Sequence, residues 1–149
     1  MAKPVIPPGI DPAIYAKTML MSRPKLNWGW KLEPEQKLSV QLADALRLAV
    51  VEDRYKGVWC HIPNEAKRSQ IVGMILKAMG MLPGAPDFFF LWAGDGGVIE
   101  LKTASGTLSE HQAHWRTWCA DAGIKHAVCK GDDADLQALA VLRDWNALR

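Results

Sequence analysis

The chain has 149 residues, 49% of them hydrophobic and 23% charged, which fits one folded domain that needs no disulfide or metal staple and excludes wholesale disorder or a coiled coil. No apolar run approaches the roughly eighteen residues of a membrane span, and the opening MAKPVIPPGI lacks the apolar core of a secretory signal, so a cytoplasmic protein is expected. The net charge of +2 is too small to announce a nucleic-acid partner, but residues 1–34 hold Lys3, Lys17, Arg23, Lys25 and Lys31 against only Asp11 and Glu33, so the basic excess lies in the amino-terminal segment.

Pro4, Pro7, Pro8, Pro12, Pro24 and Pro34 bar any long helix from residues 1–34, which read as an arm ahead of a domain over residues 35–149. The arm's Ile14, Tyr15, Met19, Leu20, Leu26, Trp28 and Trp30 are too apolar for a free tail and predict packing on the body or on a second subunit. From Glu35 to Val51, Leu38, Leu42, Leu46 and Ala49 or Val50 recur at three- and four-residue intervals, an amphipathic helix. VWCHI then reads as a strand. Asn64 is placed to cap a helix over roughly Glu65–Met79, with Ile71, Met74, Ile75 and Ala78 on its apolar side and Gly80 as its stop.

After the turn-rich LPGAPD, the runs FFFLWA and VIELK joined by GDGG form the clearest hairpin in the chain. Ser109 is positioned to cap a helix through LSEHQAHWRTWCADAG, with Leu108, Trp115 and Trp118 as core contacts. IKHAVCK supplies a further strand, and a final helix carries Leu136, Leu139, Ala140 and Leu142 on its apolar side. Strands and helices in the order αβαββαβα argue for a central sheet flanked by helices. Cys60, Cys119 and Cys129 lack zinc or disulfide spacing and read as buried thiols.

The chemistry concentrates in the hairpin. Side chains at i and i+2 of a strand share a face, so Glu100 and Lys102 emerge together while Ile99 and Leu101 turn into the core. An isolated E-x-K in a strand is most simply a solvent-facing ion pair. Here, however, Asp87 stands at the mouth of the partner strand, and a helix bearing Gln112 follows. Two carboxylates and a backbone carbonyl are hard oxygen donors of the kind Mg²⁺ prefers, with a lysine beside them to serve a water or a phosphate. For Asp87 and Glu100 to reach one ion, the turn must centre near Ala93 and Gly94 or a bulge must absorb the difference; Glu100 then lies across from Phe88 or Phe89.

The ordered set PNE (Pro63–Glu65), MG and PGAPD (Met79–Asp87), IELK, then Gly106, Ser109 and Gln112 resembles the VRR-NUC branch of the PD-(D/E)xK nucleases, over roughly Glu35–Gly123. The resemblance implies an α/β fold with a mixed central sheet. It implies that Asp87, Glu100 and the Leu101 carbonyl ligate a metal, that Lys102 positions the attacking water, that Gln112 contacts the site and that Glu35 is the acid on the first helix. It further implies hydrolysis of DNA phosphodiesters with Mg²⁺ or Mn²⁺. For small virus-borne members it implies a homodimer acting on branched DNA such as a Holliday junction, in phage or prophage replication and repair. The rivals are a sequence-specific restriction-like endonuclease and a binding or assembly module of the same fold without the chemistry.

Around this set, Glu65, Asn64 and His61 are accessory candidates. Against them stand helix-dipole preference for an acid in a first turn, a structural cap and an ordinary edge histidine, respectively. His111 and His114 have metal-ligand spacing but no third ligand, so a zinc site is rejected. Trp92, Trp115, Trp118 and Trp145 fall at core positions, leaving Trp28 and Trp30 as the DNA or dimer contacts.

Overall fold

Residues 5–27, 29–63 and 68–149 are described by the structure, a computed structural model, and the chain falls into two units, Met1–Lys31 and Leu32–Arg149. Among its described residues the first contains one helix, α1 (Pro12–Leu20), which fits between Pro12 and Pro24. Asp11 caps it, its Oδ1 accepting from the backbone N–H groups of Ala13 and Ile14 at 2.8 and 3.1 Å. No residue of α1 is buried. Trp28 lies outside the described residues, and Trp30 is exposed.

The second unit runs α2 (Pro34–Val51), β1 (Gly57–His61), α3 (Gln70–Ala78), β2 (Phe88–Trp92), β3 (Asp95–Lys102), α4 (Glu110–Asp121), β4 (Lys125–Lys130) and α5 (Ala134–Asp144). Its four strands form one sheet in the order β1-β2-β3-β4, antiparallel at the first two pairings and parallel between β3 and β4, with α4 as the crossover a parallel pair requires. The sheet is mixed, as the family resemblance implies, and flanked by helices, as the order of elements predicts. Leu38, Leu42, Leu46 and Ala49 of α2 are buried with Phe88, Phe90, Ile99 and Leu101, which face one side of the sheet, and with Ala134, Ala138 and Leu142 of α5. Each large side chain so removed from water contributes about 2 kcal/mol. Among the described residues no helix is long and apolar enough to cross a membrane.

Several expectations are corrected. The Asn64 cap lies outside the described residues, and α3 instead starts after Ser69, whose hydroxyl accepts from Val72 N–H at 3.2 Å. Ile71, Met74 and Ile75 are 72, 65 and 54% exposed, so the apolar side of α3 is uncovered. In α5 the buried row is Ala134, Ala138 and Leu142, while Leu136 and Ala140 are exposed; two alanines let this helix lie close to its neighbours. Trp118 is 56% exposed, and Cys119 is the buried residue of α4. Cys60 is exposed because β1 is an edge strand, whereas Cys119 and Cys129 are buried.

The hairpin has no bulge. Trp92 pairs with Asp95, so the loop is Ala93–Gly94, and Gly94 takes a φ of 78° that a side chain would resist. The ladder continues through Phe89 with Val98 to Phe88 with Ile99. One step further along this register, Asp87 faces Glu100, one position beyond the predicted partner.

Candidate active site

Five segments meet at one end of the sheet: the ends of β1 and β3, the entry to β2, and the first turns of α2 and α4. Directly opposed residues of an antiparallel pair share a face at a Cα separation of about 5 Å, so the register alone brings Asp87 and Glu100 together. Asp87 also crosses to β3 through its side chain, Oδ2 accepting from Leu101 N–H at 2.7 Å, and its backbone carbonyl accepts from Ile62 N–H at 2.8 Å. The acid is thereby fixed to both neighbouring strands.

Glu100 is 3% and Lys102 8% exposed, so the E-x-K pair is not a solvent-facing ion pair. Lys102 Nζ lies 3.3 Å from Glu100 Oε1 and 3.9 Å from Glu35 Oε1 of α2. Gln112 Nε2 donates to Glu100 Oε1 from the first turn of α4. Glu100 Oε2 has no partner and is, among the described residues, the one buried side-chain polar atom in that condition. Burial first, and then the Asp87 charge, push the Glu100 carboxyl up to about 7, against the pull of Lys102. Burial also raises Asp87, opposed by the Leu101 N–H and by the charges of His61 and Lys102, while Glu35 adds to the rise.

Of the sequence candidates, Asp87, Glu100, Lys102, Glu35, Gln112 and the Leu101 backbone are therefore neighbours. His61 joins them, its Nδ1 lying 2.7 Å from the Asp87 carbonyl; since a carbonyl only accepts, the ring proton belongs on Nδ1. Glu65 and Asn64 lie outside the described residues. His114 pairs with Glu110 at 3.6 Å on the exposed side of α4, and no group of three or more potential metal-ligating side chains of His, Cys, Asp and Glu is found among the described residues.

Two supports were not anticipated from sequence. Gly84 (φ 67°) lies so close to α4 that a Cβ there would meet His111 Cβ at 2.6 Å and Gln112 N at 2.9 Å. Trp115, expected in the core, is half-buried and donates from Nε1 to the Pro83 carbonyl at 3.0 Å. Together they clamp the loop that delivers Asp87 to the helix that delivers Gln112. The glycine in PGAPD was the visible signal; its tertiary partner was not.

The donor set fits a hard divalent cation. Two carboxylates that repel one another when ionised, and an orphaned buried carboxylate oxygen, are relieved by a positive ion. The arrangement can hold such an ion, with Lys102 beside it as a fixed positive charge.

Comparison with known proteins adds one finding. The family model described as the VRR-NUC domain matches residues 42–133, more than half of the chain, spanning α2 after its first two turns to the start of α5. Neither curated proteins nor solved structures gave a match.

Proposed function

This chain belongs to the VRR-NUC family, nucleases of the PD-(D/E)xK fold that act on DNA, and from that membership and the site geometry we propose a divalent-metal-dependent endonuclease with Asp87, Glu100 and Lys102 as its reacting core. The observation that carries the metal is the orphaned Glu100 Oε2 beside Asp87 in a buried site. Asp87, Glu100 and the Leu101 carbonyl hold the ion, Mg²⁺ or Mn²⁺ by the hardness of the oxygens. When bound, such an ion supplies Lewis-acid stabilisation of charge on a phosphodiester and lowers the pKa of water.

The chain's own residues do the rest. Lys102, held between Glu100 and Glu35, orients the attacking water and offers positive charge to the phosphate as it becomes pentacovalent. Glu35 keeps the ammonium in place and adds negative charge that favours the cation. Gln112 fixes one oxygen of Glu100, and His61 braces the Asp87 backbone from β1.

We further take residues 1–34 as a basic arm that meets DNA or a second copy, and residues 35–149 as the nuclease domain. The substrate reading is branched DNA in phage replication or repair, cut by a homodimer in the host cytoplasm. The uncovered apolar side of α3 supports a second copy. The test is the full chain on a panel of duplex, flap and four-way junction DNA with Mg²⁺ or Mn²⁺. Junction cutting that stops on chelation supports the reading; cutting of plain duplex at one sequence supports a restriction-like enzyme instead; and binding without cleavage of any substrate overturns the enzyme.

A further inference from the structure

The side chain of Gln112 has two partners at once. Its Oε1 accepts from the Ser109 backbone N–H at 2.9 Å, and its Nε2 donates to Glu100 Oε1. The Ser109 hydroxyl accepts in turn from Gln112 N–H at 3.2 Å, which closes a capping box at the start of α4. A capping box needs only the oxygen of the amide. Here the nitrogen left over is aimed at a buried carboxylate.

Turned end for end, the amide would set its NH₂ against the Ser109 N–H and its oxygen against Glu100, a donor facing a donor and an acceptor facing an acceptor. Both ends therefore select one orientation. That matters because the terminal torsion of a glutamate is soft, so nothing intrinsic to Glu100 decides where each oxygen lies. Oε1 is held by Gln112 and by Lys102, whose Nζ is 3.3 Å away, and Oε2 is the oxygen without a partner.

We propose that the capping box of α4 is part of the site and that Ser109 is a positioning residue. Through Gln112 it holds Glu100 Oε1 as a hydrogen-bond acceptor and leaves Oε2 free to ligate a divalent cation. This rests on the reading of Glu100 as a metal ligand. The hydroxyl of Ser109 fixes the Gln112 backbone, and its N–H fixes the amide, so the two contributions separate by substitution.

Mn²⁺ is titrated calorimetrically into the metal-free full chain, below the unfolding temperature of every variant. Ser109→Thr keeps both bonds and should bind as the wild type does. Ser109→Ala loses only the hydroxyl and should bind several-fold more weakly. Ser109→Pro loses the N–H as well, while its ring suits the φ of −69° found there, and should bind about 10- to 100-fold more weakly. If the proline variant does not fold, the Ala and Thr pair carries the test. Wild-type Mn²⁺ affinity in Ser109→Ala and in any folded Ser109→Pro, whatever happens to their melting temperatures, would leave Ser109 a helix cap and overturn the proposal. Glu100→Gln separates the two levels. If it abolishes binding while the Ser109 variants bind normally, only the positioning role falls; if it too binds Mn²⁺ normally, the metal reading falls.

Discussion

Glu100 shows at the scale of one residue how a site works against the fold that carries it. Its carboxyl is pushed up to about 7 from an ordinary 4.5, chiefly by burial, so folding favours the neutral form. Because the folded value is the higher one, the stability this group contributes is fully present below pH 4.5 and is lost as pH rises through about 7. A metal ligand must be ionised, so cation binding demands the form that the metal-free fold disfavours, and affinity should rise as pH passes about 7. Glu100→Gln keeps the shape without the charge. In chelator, thermal unfolding should show this variant more stable than wild type at pH 8, with the difference vanishing at pH 4. Equal melting temperatures at pH 8 would mean that the buried carboxylate carries no such strain. Asp87, Glu100 and Lys102 were legible in sequence because charges inside an apolar hairpin need a reason. The Gln112 contact came only through the family resemblance. The near-complete burial of Glu100 and Lys102 was not legible at all, since an isolated E-x-K reads as a solvent-facing pair until the packing of the elements around the strand is known.

Between elements, the decisive contact is the approach of the PGAPD loop to α4. Gly84→Ala introduces a Cβ at 2.6 Å from His111 Cβ on a backbone with φ of 67°, and a left-handed non-glycine residue alone costs about 1–3 kcal/mol. Urea unfolding should show a loss of about 2–3 kcal/mol, accompanied by slower cleavage, because the loop carries Asp87 and the helix carries Gln112. A loss within about 0.5 kcal/mol would show that the loop shifts freely and that the clamp is slack. Reach limited the hairpin to a turn near Ala93–Gly94 or a bulge; the turn is at Ala93–Gly94 with no bulge, and Glu100 falls opposite Asp87, one position beyond the Phe88 or Phe89 expected. Helix periodicity was less informative, since in α3 it marks the apolar side without saying what, if anything, covers it. In α5 the helix packs through the small Ala134 and Ala138 beside Leu142, while the large Leu136 is exposed, so side-chain size does not mark the packed row.

For the molecule as a whole, the uncovered side of α3 bears on assembly. If a second copy covers it, sedimentation velocity at micromolar concentration should find a dimer, and Ile71→Glu with Met74→Glu should give a folded monomer, both positions being exposed in the single chain. A dimer unchanged by these substitutions would place the interface elsewhere, and a monomeric wild type would remove the second copy from the account. Above assembly stands the claim that one end of the sheet holds a cation and uses Lys102 to cut DNA. Its most direct test is Lys102→Ala, assayed for four-way junction cleavage at saturating Mg²⁺ and for Mn²⁺ affinity on the same preparation. We expect cleavage to fall by roughly 10²–10³-fold while the cation still binds, since the lysine serves developing charge and is not a ligand. Cleavage at the wild-type rate in that variant would contradict the account.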